Sequence, residues 1–244
     1  MRDSHIVRKQ VPRMKDTNIY FLNHSGVVID DGRRCYVFDY YKDPKGIVQS
    51  LYTEGREVWF FVSHSHGDHY NPEVFSFDSK KAVYVVHAAI SLPQGLSGRT
   101  YSLSPYDVQL IDEVEVHMYG STDEGGSFYV DTGRKQFFHA GDLNWWYWME
   151  DIEANKRQAT IDARRELDKL THMAVDVAFF PVDARLETAR EWGALSFLRR
   201  VKVRKAFVPI HSNGLLWQPS VYFKALYEDV PLWIPKMDGE MVTV

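Results

Sequence analysis

Four of the six residues from position 64 to 69 carry side chains that bind metal ions: His64, His66, Asp68 and His69. They follow, with only Ser63 between, on Val58-Trp59-Phe60-Phe61-Val62, a continuous apolar run of the kind expected for a strand buried on both faces. Side chains two residues apart in an extended segment point the same way, so His64 and His66 can reach one ion together. Gly67 is expected to let the chain turn sharply and aim Asp68 and His69 at a second ion. Imidazole and carboxylate are ligands that zinc and iron favour. The competing reading, surface histidines or a structural knot, fits poorly with this density in a chain of 10 histidines. A structural zinc would more often draw on cysteine, and the chain has only Cys35.

Two later segments end in the same type of residue. Phe137-Phe138-His139-Ala140-Gly141-Asp142 places a carboxylate just past an apolar strand, and Phe207-Val208-Pro209-Ile210-His211 places a histidine just past another. Three strands that end in candidate ligands imply a site borne on loops over a rigid sheet. Strand alternation turns His139 away from Phe138 and marks it as structural. His5, His87 and His172 have no supporting neighbours and read as surface or core residues.

The rest of the chain supplies layers to carry such a site. Ile19 to Ile29 reads as a strand or hairpin arm, and Cys35 to Tyr41 as a returning strand that ends near Asp39. Short apolar strands are expected at 82–86, 108–111, 114–118, 127–130, 136–138, 177–182 and 206–210. A long helix is expected over 150–173, from the helical spacing of Ile152, Ala159, Ala163, Leu167 and Leu170. Shorter helices are expected at 191–201 and 220–227, and a final hairpin or edge strand within 232–244. Strands first and strand–helix alternation afterwards imply layered sheets flanked by helices. No internal repeat or Pro/Gly-rich linker interrupts residues 1–244, which are expected to form a single domain.

Composition narrows the function classes. Lys plus Arg number 29 against 33 Asp plus Glu, a net charge of -4, so no basic excess recruits nucleic acid. The first sixteen residues carry charges throughout and do not read as a signal peptide. No stretch approaches the roughly 20 apolar residues of a membrane span. One cysteine cannot make an intrachain disulfide, which favours a reducing, cytoplasmic compartment.

Taken in order, His64, His66, Asp68 and His69, then Asp142, then His211 resemble the metallo-β-lactamase superfamily and its HxHxDH motif, over roughly residues 18 to 244. The resemblance implies an α+β fold, a four-layer αβ/βα sandwich with two metals in a cleft at one edge of the sheets. It implies that His64 and His66 hold the first ion, that Asp68, His69 and His211 hold the second, and that Asp142 bridges them. Asn23-His24-Ser25-Gly26 is similar to a turn of the lactonase-like and phospholipase-D-like branch, and Asp39 matches its strand end. His24 and Asp39 then orient ligands or touch substrate, or are a turn residue and a strand terminus.

One position departs from the pattern. The superfamily supplies a third histidine to the first ion, and here Ser121 of Gly120-Ser121-Thr122-Asp123 stands in its place. Either Asp123 or a hydroxyl substitutes, or His117 turns in, or the first ion is lost. The cofactors implied are one or two divalent ions, zinc first, with iron or manganese as alternatives. The activity implied is hydrolysis of a small-molecule ester, lactone or phosphoester by a hydroxide formed from metal-bound water, with Asp68 orienting that water or carrying its proton. The alternative is a metal-binding sensor or vestigial enzyme without turnover; a redox role with iron finds no flavin or thiol signature beyond Cys35. Trp145, Trp146, Tyr147 and Trp148 follow Asp142 and cannot all face one side, so some wall the cleft, Trp145 first among them, and others cap the core. Asp183 and Arg185 read as a loop ion pair, with substrate contact as the alternative.

Overall fold

Residues 58–62 are all buried and enter two apolar clusters in alternation, and this decides the architecture. Trp59 and Phe61 lie in one apolar cluster, while Val58, Phe60 and Val62 lie in another. A strand turns successive side chains to opposite faces, so a strand apolar on both must be covered on both. The structure is a computed structural model and describes residues 16–244. His5 and nearly all of the charged leading segment lie outside the described residues.

One sheet contains β1 (Asn18–Asn23), β2 (Gly26–Asp30), β3 (Arg34–Phe38), β4 (Glu57–Val62), β5 (Val83–His87) and β6 (Arg99–Leu103). The other contains β7 (Val108–Ile111), β8 (Val114–Gly120), β9 (Gly126–Asp131), β10 (Gln136–His139), β11 (Ala174–Pro181) and β12 (Lys202–Ile210). The last strand, β13 (Met241–Thr243), returns to pair antiparallel with β1, giving the order β13-β1-β2-β3-β4-β5-β6 beside β12-β11-β10-β9-β8-β7. β3 through β6 run parallel, as do β10, β11 and β12.

The sheets face each other across Phe38, Trp59, Phe61, Phe128, Phe137, Phe179 and Val208. Helices α2 (Glu153–Asp168), α3 (Trp192–Leu198) and α4 (Val221–Leu226) cover the outer face of the second sheet, where Phe138, Phe180 and Phe207 meet Leu167, Phe197 and Phe223. Helix α1 (Ile47–Thr53) and a 3-10 turn at Pro72–Phe77 cover the first, where Val37, Phe60 and Tyr84 meet Val48, Leu51, Val74 and Phe77. Each such side chain taken fully from water contributes about 1.5–3 kcal/mol before ordering costs. The result is an α+β sandwich of four layers, helix, sheet, sheet, helix. No described helix is long and apolar enough to cross a membrane.

The long helix is shorter than its periodicity implies. Ile152 is its N-cap and 65% exposed, so the buried stripe starts later, with Ala163, Glu166, Leu167 and then Leu170. Helix α1 and strand β6 were not expected. Every residue of β6 but Leu103 is at least partly exposed, so it shows no apolar pattern and is held by its ladder to β5.

Candidate metal centre

Parallel strands carry the residues just past their C-terminal ends to one edge of the sandwich. Asp39 follows β3, Ser63 to His69 follow β4, Asp142 follows β10, Asp183 follows β11 and His211 follows β12. The β1–β2 turn brings His24, and the loop between β8 and β9 brings Thr122, Asp123 and Glu124.

These side chains converge around Asp142, which is 4% exposed. One carboxylate oxygen of Asp142 lies 3.3 Å from His64 Nε2, and the other lies 3.1 Å from His69 Nε2 and 3.5 Å from His211 Nε2. His64 Nε2 and His66 Nδ1 are 3.1 Å apart, so the two rings do share a direction. Three groups offer donor atoms that all lie within 4.8 Å of one another: His64, His69 and Asp142; His66, Asp123 and Asp142; and His24, Asp68, His69 and His211. Among the described residues, the buried His24 Nε2, His69 Nε2 and Asp142 Oδ1 have no hydrogen-bond partner. Buried polar atoms without partners are rare in native proteins. Atoms that face one another closely without hydrogen-bond alignment suit a cation held between them. The donor set is imidazole and carboxylate throughout, which suits divalent first-row ions.

The rings are fixed from behind. Fully buried Asp39 accepts from Ser63 N, Ser63 Oγ and His69 Nδ1, each at 2.8 Å, which leaves His69 Nε2 facing the cleft. Asp183, also fully buried, takes His211 Nδ1 at 2.9 Å. Ser63 Oγ is 2.9 Å from His64 Nδ1. Such partners set tautomer and orientation in metal-ligating histidines. His139 is structural, as expected: it is buried beneath the site, with Nε2 2.9 Å from the Ser25 carbonyl and Nδ1 accepting from Gly141 N.

Electrostatics follow from this packing. Burial works against a charged His69, but the Asp142 and Asp39 carboxylates beside it more than offset that and raise its pKa to about 10. Burial would raise Asp142, yet its histidine neighbours hold it well below the usual carboxylate range. Burial, with His211 and His69 nearby, pushes His24 down to about 4. Asp183 is held low against burial by His211 and Arg185.

Most residues singled out in the sequence meet here, with corrections. His24 stands among Asp68, His69 and His211 rather than behind them, its ring centroid 4.0 Å from that of His211. Asp39 lies under His69 and away from the cleft surface. Asp123 converges with His66 and Asp142, whereas Ser121 Oγ accepts the Asp123 amide at 3.3 Å and does not line the cleft. His117 does not turn in; it pairs with Glu115 two residues back on the same strand. The chain does turn at Gly67, without a left-handed φ, and the turn is closed by the His69 and Tyr70 amides donating to the His66 carbonyl. Trp145 does not wall the cleft. It packs on Trp192 with ring centroids 5.4 Å apart and donates to Thr160 Oγ1. Trp146 and Trp148 line the cleft instead. The supporting role of Asp183 was missed, although the sequence carried the signal already read for Asp142, a carboxylate just past an apolar strand. Glu124, 3.3 Å from His66 Nε2, was also missed, and no local pattern marks it.

No family model matches the chain. The chain is 25% identical over 209 residues to UPF0173 metal-dependent hydrolases of two Thermus thermophilus strains, over 80% of this chain and 83% of theirs. Among solved structures it is similar to Igni18, a metallo hydrolase from the hyperthermophilic archaeon Ignicoccus hospitalis, with a TM-score of 0.65 and 15% identity over 94% of this chain and 98% of that one. It is also similar to the metallo-β-lactamase fold protein YhfI from Bacillus subtilis, with a TM-score of 0.58 and 9% identity over 94% and 100% of the two chains. The fold is the metallo-β-lactamase fold, as the ligand order had implied.

Proposed function

We propose that this chain is a metal-dependent hydrolase of small molecules that holds two divalent ions. The observation that carries this reading is the convergence of His64, His69 and His211 on the two oxygens of one buried aspartate, Asp142, within 3.1–3.5 Å. The similarity to metal-dependent hydrolases along 80% of the chain supports it. His64, His66, Asp123 and Asp142 would hold the first ion, and Asp68, His69, His211 and Asp142 the second. Each position then offers two imidazoles and two carboxylates, a set that suits zinc and also admits manganese or iron.

Bound there, divalent ions supply Lewis-acid activation of water and polarise an ester, lactone or phosphoryl oxygen. The residues do the rest. Asp68 is half-exposed in the cleft and 3.4 Å from His24 Nε2. It is placed to orient a water and to hold the proton that water gives up. His24 is uncharged at neutral pH by its lowered pKa, and its buried ring stands with Asp68, His69 and His211 as a further candidate ligand. Asp39 and Asp183 keep the rings from turning. The cleft has a volume of about 420 Å³, in the range of small-molecule sites, which fits a small-molecule substrate. Because Asp123 makes up the ligand that Ser121 lacks, the replaced histidine gives little reason to read the protein as a sensor without turnover. The one cysteine, Cys35, is buried and free, which fits a cytoplasmic protein.

Elemental analysis paired with a screen of carboxylic esters, lactones, phosphomonoesters and phosphodiesters tests the reading. Two ions per chain are expected, with turnover on at least one class that disappears on chelation and in Asp142→Ala. Full metal content with no turnover on any class would overturn it.

A further inference from the structure

Two features of the cleft have no part in gripping ions: Arg185 and the tryptophan pair 146 and 148. The rings run outward from the centre in sequence. Trp146 meets the ring of ligand candidate His211 at 5.4 Å and is anchored by Nε1 donating to the Asp142 carbonyl at 2.8 Å. Trp148 lies parallel to Trp146, with centroids 6.0 Å apart and planes within 10°. The Arg185 guanidinium caps the row, 5.4 Å from the Trp148 centroid. Arg185 is the only lysine or arginine among the described residues that line the cleft.

Arg185 is also tied to the centre. Nε and Nη2 donate to Asp183, whose Oδ2 takes both Arg185 Nη2 at 2.6 Å and His211 Nδ1 at 2.9 Å. An arginine needed only to neutralise buried Asp183 could be buried with it. Instead half of its side chain is in water, and among the described residues no group accepts a hydrogen bond from Nη1. A guanidinium held rigid along one edge and open along the other is pre-organised for an oxyanion. The tryptophan faces beside it suit a flat or aromatic body. Asp68, Asp123 and Asp142 would repel an anion from the metal-free cleft, so such a ligand is favoured only once the ions offset their charge.

Resting on the hydrolase reading, we propose that Arg185, Trp146 and Trp148 form the specificity wall of this site and select substrates that carry an anionic oxygen group on a flat or aromatic body. The anion docks on Arg185, the ring lies along the tryptophans, and the bond to be cut reaches the ions beside His211.

Tryptophan fluorescence of the metal-loaded protein reads this without turnover. Benzoate and phenylphosphonate, which separate a carboxylate from a phosphate-type anion, are titrated against benzyl alcohol. At least one anion should bind about tenfold or more tightly than the alcohol, and that advantage should fall to about twofold or less in Arg185→Gln, since a charge-assisted hydrogen bond is worth more than one decade of affinity. Arg185→Lys should keep part of it, and metal content should stay unchanged in both. Should Arg185→Gln lose metal through Asp183, Trp148→Leu takes its place and must weaken the aromatic anions while leaving acetate binding as it was. Anions that bind no better than the alcohol, or as well to Arg185→Gln as to wild type with metal retained, overturn the proposal. A kinetic arm compares 4-acetoxybenzoate with phenyl acetate, where kcat/KM should favour the former in wild type and not in Arg185→Gln. Absence of turnover on both and on every class of the substrate screen, with the fluorescence results intact, overturns the hydrolase reading alone.

Discussion

His69 Nδ1 lies 2.8 Å from Asp39 Oδ2, and both side chains are fully buried. This contact joins the end of β3 to the ligand-bearing segment after β4, and it leaves His69 Nε2 as the only ring nitrogen that can reach the cleft. Asp39→Asn keeps the size, and asparagine tolerates the left-handed φ of 45° found at this position. It removes the carboxylate that fixes the tautomer. Metal affinity measured by competition with a chromophoric chelator should fall about 10- to 100-fold, the usual cost of losing such a partner. Unchanged affinity would show that Asp39 serves the fold alone.

Asp142 and this contact together set the pH dependence of His69. In metal-free protein His69 holds its proton up to about pH 10, against an ordinary 6.5. A raised pKa means that this proton stabilises the metal-free fold fully below pH 6.5, and that the contribution is lost as pH rises through 10. Metal must displace the proton, so affinity should increase with pH over that window. Calorimetric titrations at pH 7 in buffers of different ionisation enthalpy should report at least about one proton released per chain. A heat independent of buffer would contradict the assignment of His69 Nε2 as a ligand.

Asp123 is exposed, so its removal should leave the metal-free fold intact while reducing bound metal from two ions to one. Elemental analysis of Asp123→Ala checks the count. Asp123→His should recover the first ion with a preference for zinc, because imidazole replaces carboxylate. Ser121→His should not rescue Asp123→Ala, since Ser121 turns toward the Asp123 amide and away from the cleft. Rescue by Ser121→His would place the missing ligand where the sequence first put it.

The layers and the ligands were readable wherever chemistry and periodicity act along one segment. The run at 58–62 announced a strand covered twice, and Asp142 and His211 stood just past apolar strands. The hidden features depend on contacts between distant segments. In the irregular stretch 145–148 no period says which indole faces inward, and Trp146 turns to the cleft through a bond to the Asp142 carbonyl. The approach of His24 is set by the β1–β2 turn, where it takes a φ of 54°. Helix α1 was overlooked for want of length, although Asp43 caps it by accepting from the Ile47 and Val48 amides.

Gly125 ties the β8–β9 loop to the His64 segment, and its substitution separates crowding from backbone preference. Its φ is 71°, and an added Cβ would collide with the Ser63 carbonyl oxygen and meet His64 Cβ at 2.6 Å. Gly126 N donates to that same carbonyl at 3.2 Å, so the loop cannot lift without giving up the bond. Gly133, in the β9–β10 turn, has a similar φ of 72° with nothing within 4 Å of the added atom. An alanine at either position bears the left-handed penalty of about 1–2 kcal/mol. Only Gly125→Ala must also push the loop off Ser63 and carry Asp123 away from His66. Denaturant unfolding should therefore show a larger loss for Gly125→Ala than for Gly133→Ala, and metal titration should show one ion weakened in the first and neither in the second. Equal losses with intact metal binding in both would mean that the loop moves freely over the ligand segment, and that Asp123 reaches the first ion without being held there by this contact.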